Sequence, residues 1–390
     1  MARSIVHMDL AAFFVSCERR DNTQLEKIPL IIGGGSDRGV VASCSYEARI
    51  FGVRAAMPIR MALRLCPEAK VIKGDMERYS LLSHEVTQII EEKAPVMEKA
   101  SIDEFYLDIT GMDKFYGCYQ WTNELAEAVK KQTHLPISFA LSINKTVSKI
   151  GSGESKPIGK MEIPEFNVRN FLNPLSIQKI PMVGDMTFQL LSRIGIRTIR
   201  TLSEMPAEVL QQMVGKNGLE LWKKANGIDN TPVEPYTERK SISTEHTFDQ
   251  DTIDIVNVKS LLTGMVEKLA FQLRSEGWLT STVTVKVRYA NFDTETKQQR
   301  VAYTSADHTL LKTVTGLFDK LYQRRMRLRL VGIRFTGLVR GTYQIDMFED
   351  TVEMMSLYQA MDRMKNRFGF DAVTHCAGAV FKNKSNTNVS

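Results

Sequence analysis

Two adjacent carboxylates, Asp103 and Glu104, lie in the apolar, strand-like run Ala100-Ser101-Ile102-Asp103-Glu104-Phe105-Tyr106-Leu107-Asp108, and a third, Asp9, closes the β-rich run Ser4-Ile5-Val6-His7-Met8-Asp9. Placing carboxylates among such residues is costly unless something compensates the charge. A bound divalent metal would. Side chains alternate across a strand, so Asp103 and Glu104 should point to opposite faces and can share one site only at a strand end, a bulge or a hairpin tip. Spacing leaves those possibilities open. Singly, each acid has an ordinary explanation: solvated surface for the pair, a helix cap for Asp9. Together, a carboxylate at one strand end and a pair on a later strand are what a two-metal phosphoryl-transfer site requires. Hard oxygen ligands without a Cys/His cluster select magnesium over zinc.

The rest of the chain must position these groups. At 390 residues it is too long for one ordinary core and should form two to four domains. A hydrophobic content of 43% and a charged content of 25% place it among soluble globular proteins. The net charge of +6 is unevenly spread: residues 239–345 carry 17 Lys+Arg and 10 Asp+Glu, or +7, leaving the remainder near −1. A basic module on a near-neutral body suggests a polyanionic partner. The five cysteines, Cys17, Cys44, Cys66, Cys118 and Cys376, are odd in number and lack CxxC spacing, as in a reducing cytoplasm. No 18-residue apolar run and no signal-like N-terminus occur, so a cytoplasmic protein with no membrane partner is expected.

In order, the pattern gives a strand at 4–9 and helical spacing over 10–18, a short strand at 28–33 running into Gly33-Gly34-Gly35, a strand at 40–43 and a helix opening at Tyr46. The triple glycine reads as a turn, since no GxxxxGK[ST] or GxGxxG follows. Amphipathic helices are predicted over 79–92 and 121–133, with a strand at 136–142. This alternation implies an α+β layer with helices on one face. The lysines of 144–156 would suit an anionic substrate or a solvated helix face. Short helices follow over 173–229, including a helix-hairpin-helix pattern at 180–198 with Met182 where such hairpins usually have glycine. The Pro-rich 231–239 reads as a tether. Beyond it, strands at 281–289 and 328–335, with Lys286 and Arg288 on one face and Arg329 among apolar neighbours, are backed by helices at 256–275 and 309–322. One basic and one buried face would suit a duplex backbone. A last amphipathic helix covers 355–368, before a polar tail from 382.

His7-Met8-Asp9-Leu10-Ala11-Ala12-Phe13-Phe14, Ser45-Tyr46-Glu47-Ala48-Arg49, Ser101-Ile102-Asp103-Glu104 and Lys156-Pro157 resemble, in type, order and spacing, the motifs of Y-family translesion DNA polymerases, closest to the polymerase IV (DinB) branch. The resemblance spans residues 4–348. It implies an α+β multidomain right hand: palm at 1–11 and 75–165, small fingers at 12–74, a helical thumb at 166–231, a linker at 232–240 and an α/β little finger at 241–342. The clamp motif, helix and disordered tail would occupy 343–390.

Carried over by position, Asp9, Asp103 and Glu104 are the catalytic metal ligands, with the Leu10 carbonyl beside them, for two magnesium ions. Phe13, Phe14, Ser43, Tyr46, Arg49 and Lys156 map to the dNTP site, Phe14 being the steric gate that excludes a ribose 2′-hydroxyl. Gln344, Met347 and Phe348 resemble a peptide that binds the bacterial sliding clamp. The implied activity is low-fidelity, template-directed DNA synthesis past lesions, without proofreading, by a monomer acting on primer-template DNA and dNTPs. Departures are Ala11 for the second acid of Asp-x-Asp, Gly151-Ser152-Gly153 for a small-small-Asp triplet, and Met182. A palm-like nucleotidyl cyclase and a non-catalytic DNA- or clamp-binding protein are the competing readings. The cyclase would have no use for the basic module.

Overall fold

A computed structural model describes residues 3–35, 38–112, 117–236, 238–341 and 352–375. The clamp-like residues Gln344, Met347 and Phe348, and the tail beyond His375, lie outside them. The chain divides after residue 237 into two compact units.

The first unit opens with β1 (Ile5–Leu10), α1 (Phe13–Asp21), β2 (Leu30–Gly33) and β3 (Val41–Cys44). Then come α2 (Tyr46–Ile50), α3 (Ile59–Leu65), β4 (Lys70–Ile72) and α4 (Met76–Glu91). A hairpin of β5 (Val96–Lys99) and β6 (Glu104–Asp108) precedes α5 (Cys118–Thr133), β7 (Ile137–Ser142), α6 (Lys145–Glu154) and β8 (Lys160–Glu162). Five short helices follow, α7 (Val168–Leu172), α8 (Asp185–Arg193), α9 (Ile199–Ser203), α10 (Ala207–Val214) and α11 (Asn217–Ala225).

Strands β5-β6-β1-β7-β8 make the main sheet, and β3-β2-β4 a smaller one. β1 lies third of five and is buried throughout, which a half-solvated strand would not be. Its two faces differ in chemistry. Val6, Met8 and Leu10 join Phe105, Leu107, Phe139 and Leu141 in the main core of the first unit, under α4 and α5. Ile5, His7 and Asp9 face the other way, beside Glu104 and Tyr106 of β6 and Ser138, Ala140 and Ser142 of β7.

That second face is covered by α6, whose N-terminus is capped by Asn144 accepting from the Val147 amide. Small side chains let helix and sheet approach closely. A Cβ at Gly151 would stand 2.6 Å from Ile163 Cδ1 and 2.8 Å from Ala140 Cβ, while Gly153 faces open space. The first glycine of the unusual triplet is therefore a packing residue. Gly151→Ala should cost about 1–3 kcal/mol by overpacking, readable as a lowered denaturation midpoint, whereas Gly153→Ala should not be destabilising.

Two expectations from the sequence are corrected here. The hairpin pattern at 180–198 is preceded by a single 3₁₀ turn, Ile177–Lys179, where a helix-hairpin-helix has its first helix, and Met182 takes the left-handed conformation (φ 85°) that glycine adopts without cost. The stretch 231–239 is not a free tether along its whole length. Asp229 accepts from the Thr146 amide and hydroxyl, Glu98 accepts from the Glu234 amide at 2.7 Å, and Val233 packs with Ile5 and Tyr106. Tertiary partners that local composition does not report hold it as far as Glu234.

The second unit is built from β9 (Ser241–Thr252), α12 (Ile255–Ser275), β10 (Trp278–Tyr289), β11 (Thr294–Thr304), α13 (Asp307–Leu321), β12 (Leu328–Thr336), β13 (Val339–Arg340) and α14 (Val352–Phe368). Its sheet runs β11-β10-β12-β9, with β13 on β10. Alternation in β10 sends Val283, Val285, Val287 and Tyr289 into the core beneath α12 and α13, leaving Thr284, Lys286 and Arg288 on the open face. Register adds Arg334 to that face, opposite Thr284. Arg329 stacks on Phe292 at 4.4 Å.

Helix α14, for which the sequence offered only amphipathicity, is fastened to the helical side of this unit. Arg274 of α12 donates to both Asp362 carboxylate oxygens at 2.7 and 2.9 Å and pairs with Asp307 at 2.5 Å. Lys365, almost fully buried, sets its ammonium over the rings of both Phe271 and Phe370.

Candidate active site

The acid pair sits at the tip of the β5–β6 hairpin. Residues 101–103 form the bend and Glu104 is the first residue of β6, so of the possibilities that spacing left open the hairpin tip is the one realised. Ser101 builds the turn. Its hydroxyl accepts from the Asp103 and Glu104 amides at 3.3 and 3.1 Å and donates to Asp103 Oδ1 at 2.6 Å. The Leu10 amide donates to the Asp103 carbonyl at 3.0 Å, tying the tip to the end of β1. Asp9 and Glu104 are directly opposed on β1 and β6 and share a face.

Lysines from α6 and the segment after it neutralise these acids. Lys156 Nζ lies 2.7 Å from Asp9 Oδ2, and Lys149 Nζ 2.6 Å from Glu104 Oε2. Burial pushes the Asp9 carboxyl up to about 6; Lys156 opposes this, while Glu104 and Asp103 add to it. Asp9 does not cap α1, whose N-cap Ala12 makes no side-chain bond. As placed, no group of three His, Cys, Asp or Glu side chains among the described residues is gathered tightly enough to hold one ion. Asp9 and Glu104 are instead paired with lysines, and the oxygen donors they carry are hard ligands of the kind a divalent cation takes.

Asp9 and Glu104, but not Asp103, line a cavity of about 350 Å³ with His7, Lys149, Lys156 and Met182. Tyr46 and Arg49 occupy α2, which Ser45 caps through the Ala48 amide. The Arg49 guanidinium stands 4.6 Å over the Tyr46 ring, and its Nε donates to the Cys44 carbonyl. Burial raises the Tyr46 phenol, with Arg49 and Lys156 pulling it down and Asp9 pushing it up, so the ring lies within the field of the acidic site. Ser43 is half-exposed on β3.

The paired phenylalanines part company. Phe13 is 2% exposed and belongs to the main core, so its side chain has no face to offer a nucleotide and its place among the nucleotide contacts rests on its backbone. Phe14 is half-buried and stacks on Tyr79 at 4.7 Å and 16°. Tyr79 in turn donates to Glu18 Oε1 at 2.6 Å.

With this geometry in view, the comparisons are specific. The impB/mucB/samB family matches residues 8–153, and its C-terminal domain matches residues 239–347. The chain is 34% identical to DNA polymerase IV of Dehalococcoides mccartyi over 381 residues, 95% of this chain and 96% of that one. It is 35% identical to DNA polymerase IV of Exiguobacterium sibiricum over 342 residues, 87% and 95% of the two chains. The chain belongs to the DNA polymerase IV branch of the Y family.

This Y-family member is a DNA-directed DNA polymerase of the translesion kind. Its fold agrees: a Y-family DNA polymerase chimera superposes with a TM-score of 0.75 at 25% identity, covering 87% of this chain and all of that one. DinB from Sulfolobus solfataricus gives 0.61 over the same shares at 25% identity. The match at 239–347 covers the basic module, which the cyclase reading left without a purpose.

Several residues that shape the candidate site escaped sequence reasoning. Lys149 was legible only as part of a lysine-rich stretch, and Tyr79 only as the start of an amphipathic helix. Ser101 offered the one usable signal, a Ser two residues before an acid in a turn-forming position.

Proposed function

We propose that Asp9, Asp103, Glu104 and the Leu10 carbonyl hold two magnesium ions and that this chain transfers a nucleotidyl group from a dNTP to a primer 3′-hydroxyl on a DNA template. When bound, the metal supplies neutralisation of phosphate charge and activation of the attacking hydroxyl. The observation carrying the reading is that the end of β1 and the tip of the β5–β6 hairpin are hydrogen-bonded to each other, bringing the acid-bearing segments together beside Lys149 and Lys156.

In this reading Lys156 leaves Asp9 for the triphosphate, a point charge moving from one anion to another. Arg49 adds a planar fork suited to phosphate oxygens, and Tyr46 a hydroxyl donor; Ser43 lies at the same edge. Phe14 stands against the sugar. The main sheet with α4–α6 serves as palm (1–11 and 75–165), residues 12–74 as fingers, 166–231 as thumb and 241–342 as little finger, whose face bearing Lys286, Arg288 and Arg334 meets the duplex backbone. No residues in this assignment serve proofreading.

Gln344, Met347 and Phe348 are assigned to the sliding clamp, which would tether a weakly gripping monomer to its template in the cytoplasm. One experiment tests both levels. Extension of a primed DNA template with magnesium should add the template-complementary dNTP, and the clamp should lengthen products for the wild type but not for Gln344→Ala/Phe348→Ala. Absence of templated addition would reject the polymerase mechanism; equal clamp stimulation of both proteins would reject the clamp assignment alone.

A further inference from the structure

The polymerase mechanism above makes no use of His7, yet the site is built around its ring. His7 is fully buried, packs at 4.7 Å against Tyr106, and shares a face of β1 with Asp9. Nδ1 stands 2.6 Å from Ser152 Oγ on α6. Nε2 has no hydrogen-bond partner and faces Glu104 Oε1 at 4.0 Å, the other Glu104 oxygen being held by Lys149.

The Ser152 hydroxyl has one proton and two acceptors in reach, His7 Nδ1 at 2.6 Å and the Lys149 carbonyl at 3.0 Å. Donation to the carbonyl would force the ring proton onto Nδ1. The bare Nε2 lone pair would then confront a carboxylate inside a buried pocket, acceptor against acceptor, where weak screening makes the repulsion costly. Donation to Nδ1 puts the ring proton on Nε2, and a neutral N–H dipole then points at the carboxylate. The shorter contact is also the one to Nδ1.

We infer that His7 is a positioning residue for Glu104: its Nε2-protonated tautomer, fixed by Ser152, orients the carboxylate for the divalent cation. A movement of about 1 Å by the carboxylate brings Oε1 into hydrogen-bond range of Nε2. His7 then keeps the carboxylate aimed once Lys149 lets go of Oε2. Ser152, the middle residue of the unusual triplet, thereby gains a function through its hydroxyl. The inference rests on the reading of Glu104 as a metal ligand, and outer-shell donors of this kind typically change metal affinity by roughly 10–100-fold.

Two measurements on the full chain test it. With histidine ring nitrogens ¹⁵N-labelled and the His7 signals assigned by their loss in His7→Phe, Nε2 should be protonated and Nδ1 bare; in Ser152→Ala that preference should collapse to a mixture. A ring protonated on Nδ1 in the wild type would overturn the inference. Manganese binding, followed by electron paramagnetic resonance without DNA, should weaken about tenfold in His7→Phe. Binding should recover in His7→Gln, whose amide nitrogen can stand where Nε2 does, and Ser152→Ala/His7→Phe should bind no more weakly than His7→Phe alone. If Glu104→Ala weakens manganese binding and His7→Phe does not, the positioning role is wrong while the metal reading stands. If Glu104→Ala binds as the wild type does, the metal reading fails and this inference with it.

Discussion

Asp103→Ala should lower single-turnover nucleotide addition by roughly a thousandfold or more, about 4 kcal/mol of transition-state stabilisation, while leaving the fold intact. The two effects separate because of where Asp103 lies. Among the described residues its side chain is engaged by the Ser101 hydroxyl, its amide and carbonyl are held by Ser101 and Leu10, and alanine keeps both backbone bonds. Surface-like positions of this kind change stability by about 0.5 kcal/mol or less. Pre-steady-state extension of a primed template and a thermal melt of the same preparation check both halves; near-normal addition would remove Asp103 from the site.

Asp9 supplies the contrast. Its carboxyl is pushed up to about 6, above the ordinary carboxylate range, chiefly by burial. For an acid shifted upward, the stabilising contribution is complete in the protonated form at low pH and is lost as pH rises through the folded value. At neutral pH the ionised Asp9 is therefore a cost to the fold. Asp9→Asn, equally inactive, should melt above the wild type at neutral pH, a stability gain bought by removing function.

Phe14→Ala should reduce discrimination against ribonucleotides by roughly a hundredfold, since the barrier to a single added hydroxyl is steric rather than a lost hydrogen bond. The ring is well placed for exclusion: stacked at 16° on Tyr79, itself anchored to Glu18, it cannot easily turn aside. The adjacent Phe13→Ala should behave oppositely, costing about 3–5 kcal/mol of stability because Phe13 is buried in the main core. The ratio of kcat/KM for a dNTP and its matching NTP, measured for both variants, separates gate from core. Unchanged sugar selection in Phe14→Ala would end its assignment as the gate.

Sequence alone singled out the candidate residues for the chemistry. Asp9, Asp103 and Glu104 stand out because carboxylates are improbable in apolar runs, and the alternation of β10 foretold which side of that strand meets solvent, since period two is local geometry. It equally foretold α4, α5, α12 and α13 from helical spacing. What lies across a face was decided only by the tertiary structure, because periodicity reports that a side chain is covered and not by what. Glu104 meets Lys149 45 positions away, and His7 meets Ser152 145 positions away, at distances set by the packing of α6 on the main sheet. Met182 illustrates the same division: its identity put a phosphate contact by this turn in doubt, while only the structure shows its backbone in the left-handed conformation that glycine adopts without cost. Residue types set what could react, and long-range packing set which groups meet.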